Sequence, residues 1–70
     1  MTFEPEDDVA YIYFRPDSDA TLPIQILIED DRLEAIIVLD VDTDGKLAGL
    51  EVVGARSLLP DELLRAALKS

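Results

Sequence analysis

The chain contains no cysteine and no histidine among its 70 residues. Without cysteine no disulfide staples the fold, and without either residue the usual structural zinc sites are excluded. The same absences thin out the chemistry. Histidine is the commonest general base, and cysteine is the strongest side-chain nucleophile. The serines are Ser18, Ser57 and Ser70, and none sits in a nucleophile elbow or beside an available base. Carboxylates abound, but a carboxylic acid keeps its proton at neutral pH only when desolvated, and these fall mostly in turn sequences. The composition points to a non-catalytic domain with no cofactor.

Basic residues are scarce too. Six Lys and Arg stand against sixteen Asp and Glu, a formal net charge of -10. Nucleic-acid binding draws on cationic groups that neutralise phosphates, and this chain would repel a duplex and an anionic membrane surface alike. A basic protein is the electrostatic complement. No run approaches the roughly 20 apolar residues that span a bilayer. The first eight residues are acidic where a secretory signal is basic, so a cytoplasmic location is expected.

What the chain does have is apolar side chains, 49% of it, in one domain covering residues 1–70. A chain this short buries only about 60% of the surface its unfolded form exposes. With no disulfide or zinc to help, self-association is the remaining route to stability.

Four runs alternate with the period of a strand. The first is Val9-Ala10-Tyr11-Ile12-Tyr13-Phe14, ended by the turn-forming Arg15-Pro16-Asp17-Ser18-Asp19. The second is Leu22-Pro23-Ile24-Gln25-Ile26-Leu27-Ile28, where Pro23 confines the strand to an edge or to the residues that follow. Glu29-Asp30-Asp31-Arg32 makes a charged break before the third run, Ala35 to Val41. Asp42-Thr43-Asp44-Gly45 then separates it from the fourth, Leu47 to Val53, and an Asp-Gly pair between two such runs is a strong hairpin signal. After Gly54 the period changes. Pro60, Asp61 and Glu62 suit a helix start, and Leu63, Leu64, Ala67 and Leu68 form one apolar stripe. The expectation is an α+β fold: an antiparallel meander of about four strands over residues 9–55, then a short C-terminal helix over about 60–69.

Both faces of these strands are apolar. Tyr11 and Tyr13 oppose Ile12 and Phe14, and Ile36 and Val38 oppose Ile37 and Leu39. One short helix covers at most one face, so a two-fold homodimer packed sheet on sheet is expected to cover the remainder. The aromatics read as packing residues with phenol hydroxyls at the rim.

One segment matches a functional pattern. Residues 40–51 carry acidic side chains at positions one, three and five of a twelve-residue calcium loop, glycine at six and glutamate at twelve. Asp40, Asp42, Asp44 and Glu51 are therefore the candidate metal ligands. The flanks disagree, because an EF-hand needs a helix on each side and Ile36-Ile37-Val38-Leu39 is β-branched and strand-like. In the hairpin reading the aspartates are turn residues. Glu4, Glu6, Asp7 and Asp8 read as a solvated, charged lead-in to the first strand.

Two segments together resemble the domain-of-unknown-function family 2283. They are Glu6-Asp7-Asp8-Val9-Ala10-Tyr11-Ile12, and Val38 to Val52, with its Asp44-Gly45 and its Gly49-Leu50-Glu51. The chain departs from that pattern between Ile28 and Ile36, where its connection is longer than a tight turn. The resemblance implies a small β-sheet protein whose shared residues trace turns and packing, and it carries over no activity or ligand. The functional expectation is a self-associating interaction or regulatory module with a basic partner. The alternative is a divalent-cation-responsive module using residues 40–51.

Overall fold

The computed structural model describes residues 1–14 and 24–68. In chain order these form β1 (Thr2–Glu4), β2 (Val9–Tyr13), β3 (Ile24–Ile28), β4 (Ile36–Val41), β5 (Leu47–Val53), α1 (Ala55–Leu58) and α2 (Asp61–Leu68). The strands make one antiparallel sheet in the order β1-β2-β5-β4-β3. The fold is α+β, with the sheet first and the short amphipathic helix last.

Two details differ from the expectation. The acidic lead-in contains a fifth strand, because Phe3 pairs with Ala10 and brings β1 against β2. The strands also do not meander throughout: β3, β4 and β5 follow one another, but β2 pairs with β5. β2 and β3 are therefore not neighbours in the sheet, with β5 and β4 between them. The turn read at Arg15 to Asp19, the start of the second run at Leu22-Pro23, and Lys69 all lie outside the described residues.

The β4–β5 hairpin forms where the Asp-Gly pair predicts it. The Gly45 amide donates to the Asp42 carbonyl at 3.0 Å, and the Asp42 amide donates to Lys46 at 2.9 Å. Gly45 adopts φ 78, which an L side chain resists. This is a three-residue loop, a turn followed by a left-handed glycine, rather than a two-residue one. The register then slips between Asp40 and Val41, so that Asp40 faces Gly49 while Val41 faces Leu47. The charged break between β3 and β4 closes through the Leu33 amide on the Asp30 carbonyl at 2.9 Å. There Arg32 grips the Asp30 carboxylate with two guanidinium nitrogens, at 2.9 and 2.7 Å, and holds it at a pKa of about 2.

Residues paired across an antiparallel sheet share a face. One row runs Phe3, Ala10, Val52, Ile37, Ile28, and the next runs Ile12, Leu50, Leu39, Ile26. Phe3, Ala10 and Val52 are buried with Ala35, Ala55 of α1 and Leu64 of α2. Both helices therefore lie on this face, and α2 packs on β1. The opposite face presents Tyr11, Glu51, Val38 and Leu27 in one row, and Tyr13, Gly49, Asp40 and Gln25 in the next.

α1 has a cap from elsewhere in the chain. Its N-cap position is Gly54, which has no side chain to offer the helix amides. Asp8 supplies the acceptors: its carbonyl takes the Gly54 and Ala55 amides at 2.9 Å each, and its carboxylate takes the Arg56 amide at 2.9 Å. The Arg56 guanidinium reaches back to the Pro5 carbonyl and lies 5.5 Å over the Phe3 ring. The β1–β2 turn and the start of α1 are thereby locked together.

Candidate functional site

The four acidic residues of the calcium-loop pattern are held in separate places. Asp40 is on β4, only 2% exposed, and accepts hydrogen bonds from the Tyr11 hydroxyl and from the Gln25 amide at 3.1 Å. Asp42 closes the hairpin loop, its carboxylate accepting the Asp44 and Lys46 amides at 3.2 Å each. Asp44 is exposed at the tip, with the Thr43 hydroxyl 3.5 Å away. Glu51 lies up β5, between Tyr11 and Val38 in register. Among the described residues no group of three or more carboxylates comes close enough to hold a metal ion.

Asp40 instead anchors a polar cluster that spans four strands. β2 supplies Tyr11, β3 supplies Gln25, β4 supplies Asp40, and β5 supplies Gly49 at the point where the Tyr11 phenol crosses. A Cβ on Gly49 would overlap that phenol, coming 2.7 Å from its ring carbon. The Tyr11 and Tyr13 rings sit 4.4 Å apart, tilted against one another. Burial, the hydrogen bond to Asp40, and the negative charges of Asp40 and Glu51 raise the Tyr11 hydroxyl to about 12. A phenol held this firmly in its neutral form is a donor, and nothing in its surroundings makes it a base. The cluster has the character of a structural clasp.

The apolar surface has the opposite character, because among the described residues little covers it. The helices shelter the β1, β2 and β5 end of their face and stop there. β3 is exposed along its whole length, with Ile24, Ile26 and Ile28 at 50%, 46% and 37% on the helix-bearing face. Beside them Ile37, Leu39 and Leu50 are only half-buried. No charged side chain appears in either register row of that face, Phe3 to Ile28 or Ile12 to Ile26. β3 is also an edge strand without the charges, bulge or internal proline that usually protect one. The sequence signals two apolar faces. In the structure half of the helix-bearing face is bare, and on the other face Leu27 and Val53 are exposed beside the tyrosines and Gln25.

Acidic groups gather at one end of the sheet. Glu6 and Asp7 occupy the β1–β2 turn, and Glu29, Asp30, Asp31 and Glu34 occupy the β3–β4 connection. The second set rims an open concavity of about 540 Å³ whose floor includes Leu33, Ile36 and Val53. Among the described residues no helix is long and apolar enough to cross a membrane.

The model of a family described as "Protein of unknown function (DUF2283)" matches residues 1–56. No curated protein and no solved structure matches the chain. The matched region holds the whole sheet, the Asp8 cap, the Tyr11–Asp40 clasp and both hairpin glycines. It ends inside α1, before α2.

Proposed function

This chain belongs to the DUF2283 family, and on that premise we propose that it is a small, non-catalytic interaction module that works by self-association. The observation that carries this reading is the uncharged, uncovered half of the sheet, with Ile24, Ile26 and Ile28 at its edge.

The acidic end of the sheet supplies the second half of the proposal, a basic protein held by the carboxylates around Glu29 to Glu34 and the turn bearing Glu6 and Asp7. Such a contact weakens as salt screens it. Self-association couples to stability, because a dimer that forms only from folded chains raises the unfolding midpoint as concentration rises. Thermal unfolding across a hundred-fold range of protein concentration reads this directly. The module reading predicts a midpoint that climbs by several degrees, and a midpoint independent of concentration contradicts it.

A further inference from the structure

We infer that Asp44-Gly45, at the tip of the β4–β5 hairpin, is a self-modification site. The Gly45 amide nitrogen closes on the Asp44 side chain and converts the turn to its isoaspartate form, at a rate that the bonds to Asp42 hold down. The site does not depend on self-association and needs no reactant but water.

Both sequence and structure select this pair. Ring closure brings the backbone nitrogen of the following residue onto the aspartate Cγ, and a side chain on that residue obstructs the approach. Asp44 is the chain's one aspartate followed by glycine, whereas Asp8, Asp40 and Asp42 precede the β-branched Val9, Val41 and Thr43. Asp44 and Gly45 are both exposed. A Cβ built on Gly45 would meet no atom of the described residues within 4 Å, so the ring has room to form there. Loop tips are also where local opening is easiest.

The step balances as follows from the protonated Asp44 carboxyl. The bond from the Gly45 nitrogen to Cγ forms, and the amide proton leaves with the carboxyl hydroxyl as water. The product is a five-membered succinimide. Water then adds to one of its two carbonyls. Addition at Cγ breaks the new bond to nitrogen and restores aspartate. Addition at the main-chain carbonyl carbon breaks the original peptide bond instead, so the chain runs on through Cβ and Cγ. The isoaspartate has the same mass, one more backbone atom, and its carboxylate on Cα.

The folded turn resists this reaction. Closure requires the Asp44–Gly45 peptide to rotate until its nitrogen meets Cγ. That rotation is opposed by the Gly45 amide, which donates to the Asp42 carbonyl at 3.0 Å. The Asp42 carboxylate accepts the Asp44 and Lys46 amides at 3.2 Å each, so the backbone on both sides of the reacting pair is tied to one residue. The reaction therefore runs from the opened tip, and the bonds to Asp42 set how often it opens. The added backbone atom falls inside the loop that the Asp42 amide closes on Lys46 at 2.9 Å, so the modified hairpin closes less tightly.

The test is an incubation for weeks at neutral pH and physiological temperature. It compares the intact protein, folded and in guanidinium chloride, with Asp42→Ala and Asp44→Glu, whose folding circular dichroism confirms. Isoaspartate is counted by methyl transfer from labelled S-adenosylmethionine with an isoaspartate-specific methyltransferase, and placed by electron-transfer fragmentation. It is expected at residue 44, forming at least about ten-fold more slowly in the folded protein than in the unfolded one. Asp42→Ala is expected to speed it at least about three-fold in the folded state. Asp44→Glu is expected to remove the signal, because the larger ring closes far more slowly. A folded protein that forms no isoaspartate at residue 44 in the time its unfolded form converts fully overturns the inference, and so do equal rates in the two. An Asp42→Ala variant that folds and reacts no faster overturns the part given to Asp42. Should that variant not fold, the comparison of folded with unfolded protein decides.

Discussion

Asp40 is held by side chains far from it in sequence. Its spacing from Asp42, Asp44 and Glu51 fits a calcium loop, yet its actual partners are Tyr11 and Gln25, 29 and 15 residues away. The clasp they form depends on Gly49, since any side chain there meets the Tyr11 ring. Gly49→Ala is expected to lower stability by about 1 to 3 kcal/mol, the usual cost of overpacking a fitted site, measurable by urea unfolding. Tyr11→Phe removes one hydrogen bond from a buried carboxylate and is expected to cost about 1 to 3 kcal/mol. It also has a signature in pH. The folded protein raises the Tyr11 hydroxyl from 10.0 to about 12, so folding favours the neutral phenol. That contribution is fully present below pH 10 and is lost as the pH rises through about 12. The unfolding midpoint of the unmodified protein should fall across that window, and Tyr11→Phe should fall less. None of this was legible in the sequence. Turn chemistry is local and can be read from four residues, but a clasp across four strands depends on a register that only the folded sheet defines.

At the scale of elements, the parts with local causes were legible and the parts with distant causes were not. β5 spans Leu47–Val53 as the fourth alternating run indicates, and Asp44-Gly45 turns the chain where it should. α2 starts at Asp61, one residue after Pro60, whose carbonyl accepts the Leu63 and Leu64 amides at 3.1 and 3.2 Å. β1 escaped notice because three residues with one apolar side chain give no period, and it exists only through its pairing with β2. α1 escaped because its cap, Asp8, is 48 residues from the Arg56 amide it accepts. The sequence places Asp8 in a solvated lead-in; in the structure its backbone stands at φ 57 and its carboxylate and carbonyl accept the first amides of α1. Asp8→Ala is expected to cost about 1 to 2 kcal/mol through the lost cap. Hydrogen exchange of the Arg56 amide should accelerate more than that of amides in β4, which have no part in the cap.

For the whole molecule, the sequence signalled an excess of apolar surface and the structure located it. The two helices among the described residues, of four and eight residues, are too short to cover a five-stranded sheet, and α2 sits over the edge strand β1 rather than over the centre. The sequence could show that Ile37 and Leu39 face one way, but not which strands the helices would reach. That depends on β2 pairing with β5, which places β3 and β4 at the far side from α2. The family match ends at residue 56 and so encloses the whole sheet, bare face included, but not the helix that covers its other end. The central claim is that the chain self-associates. Its most direct test is the molar mass of the unmodified protein in solution, by light scattering on material held at micromolar concentration. Twice the 7.7 kDa of the single chain is expected, unchanged or more fully dimeric at high salt. A mass of 7.7 kDa at those concentrations would contradict it.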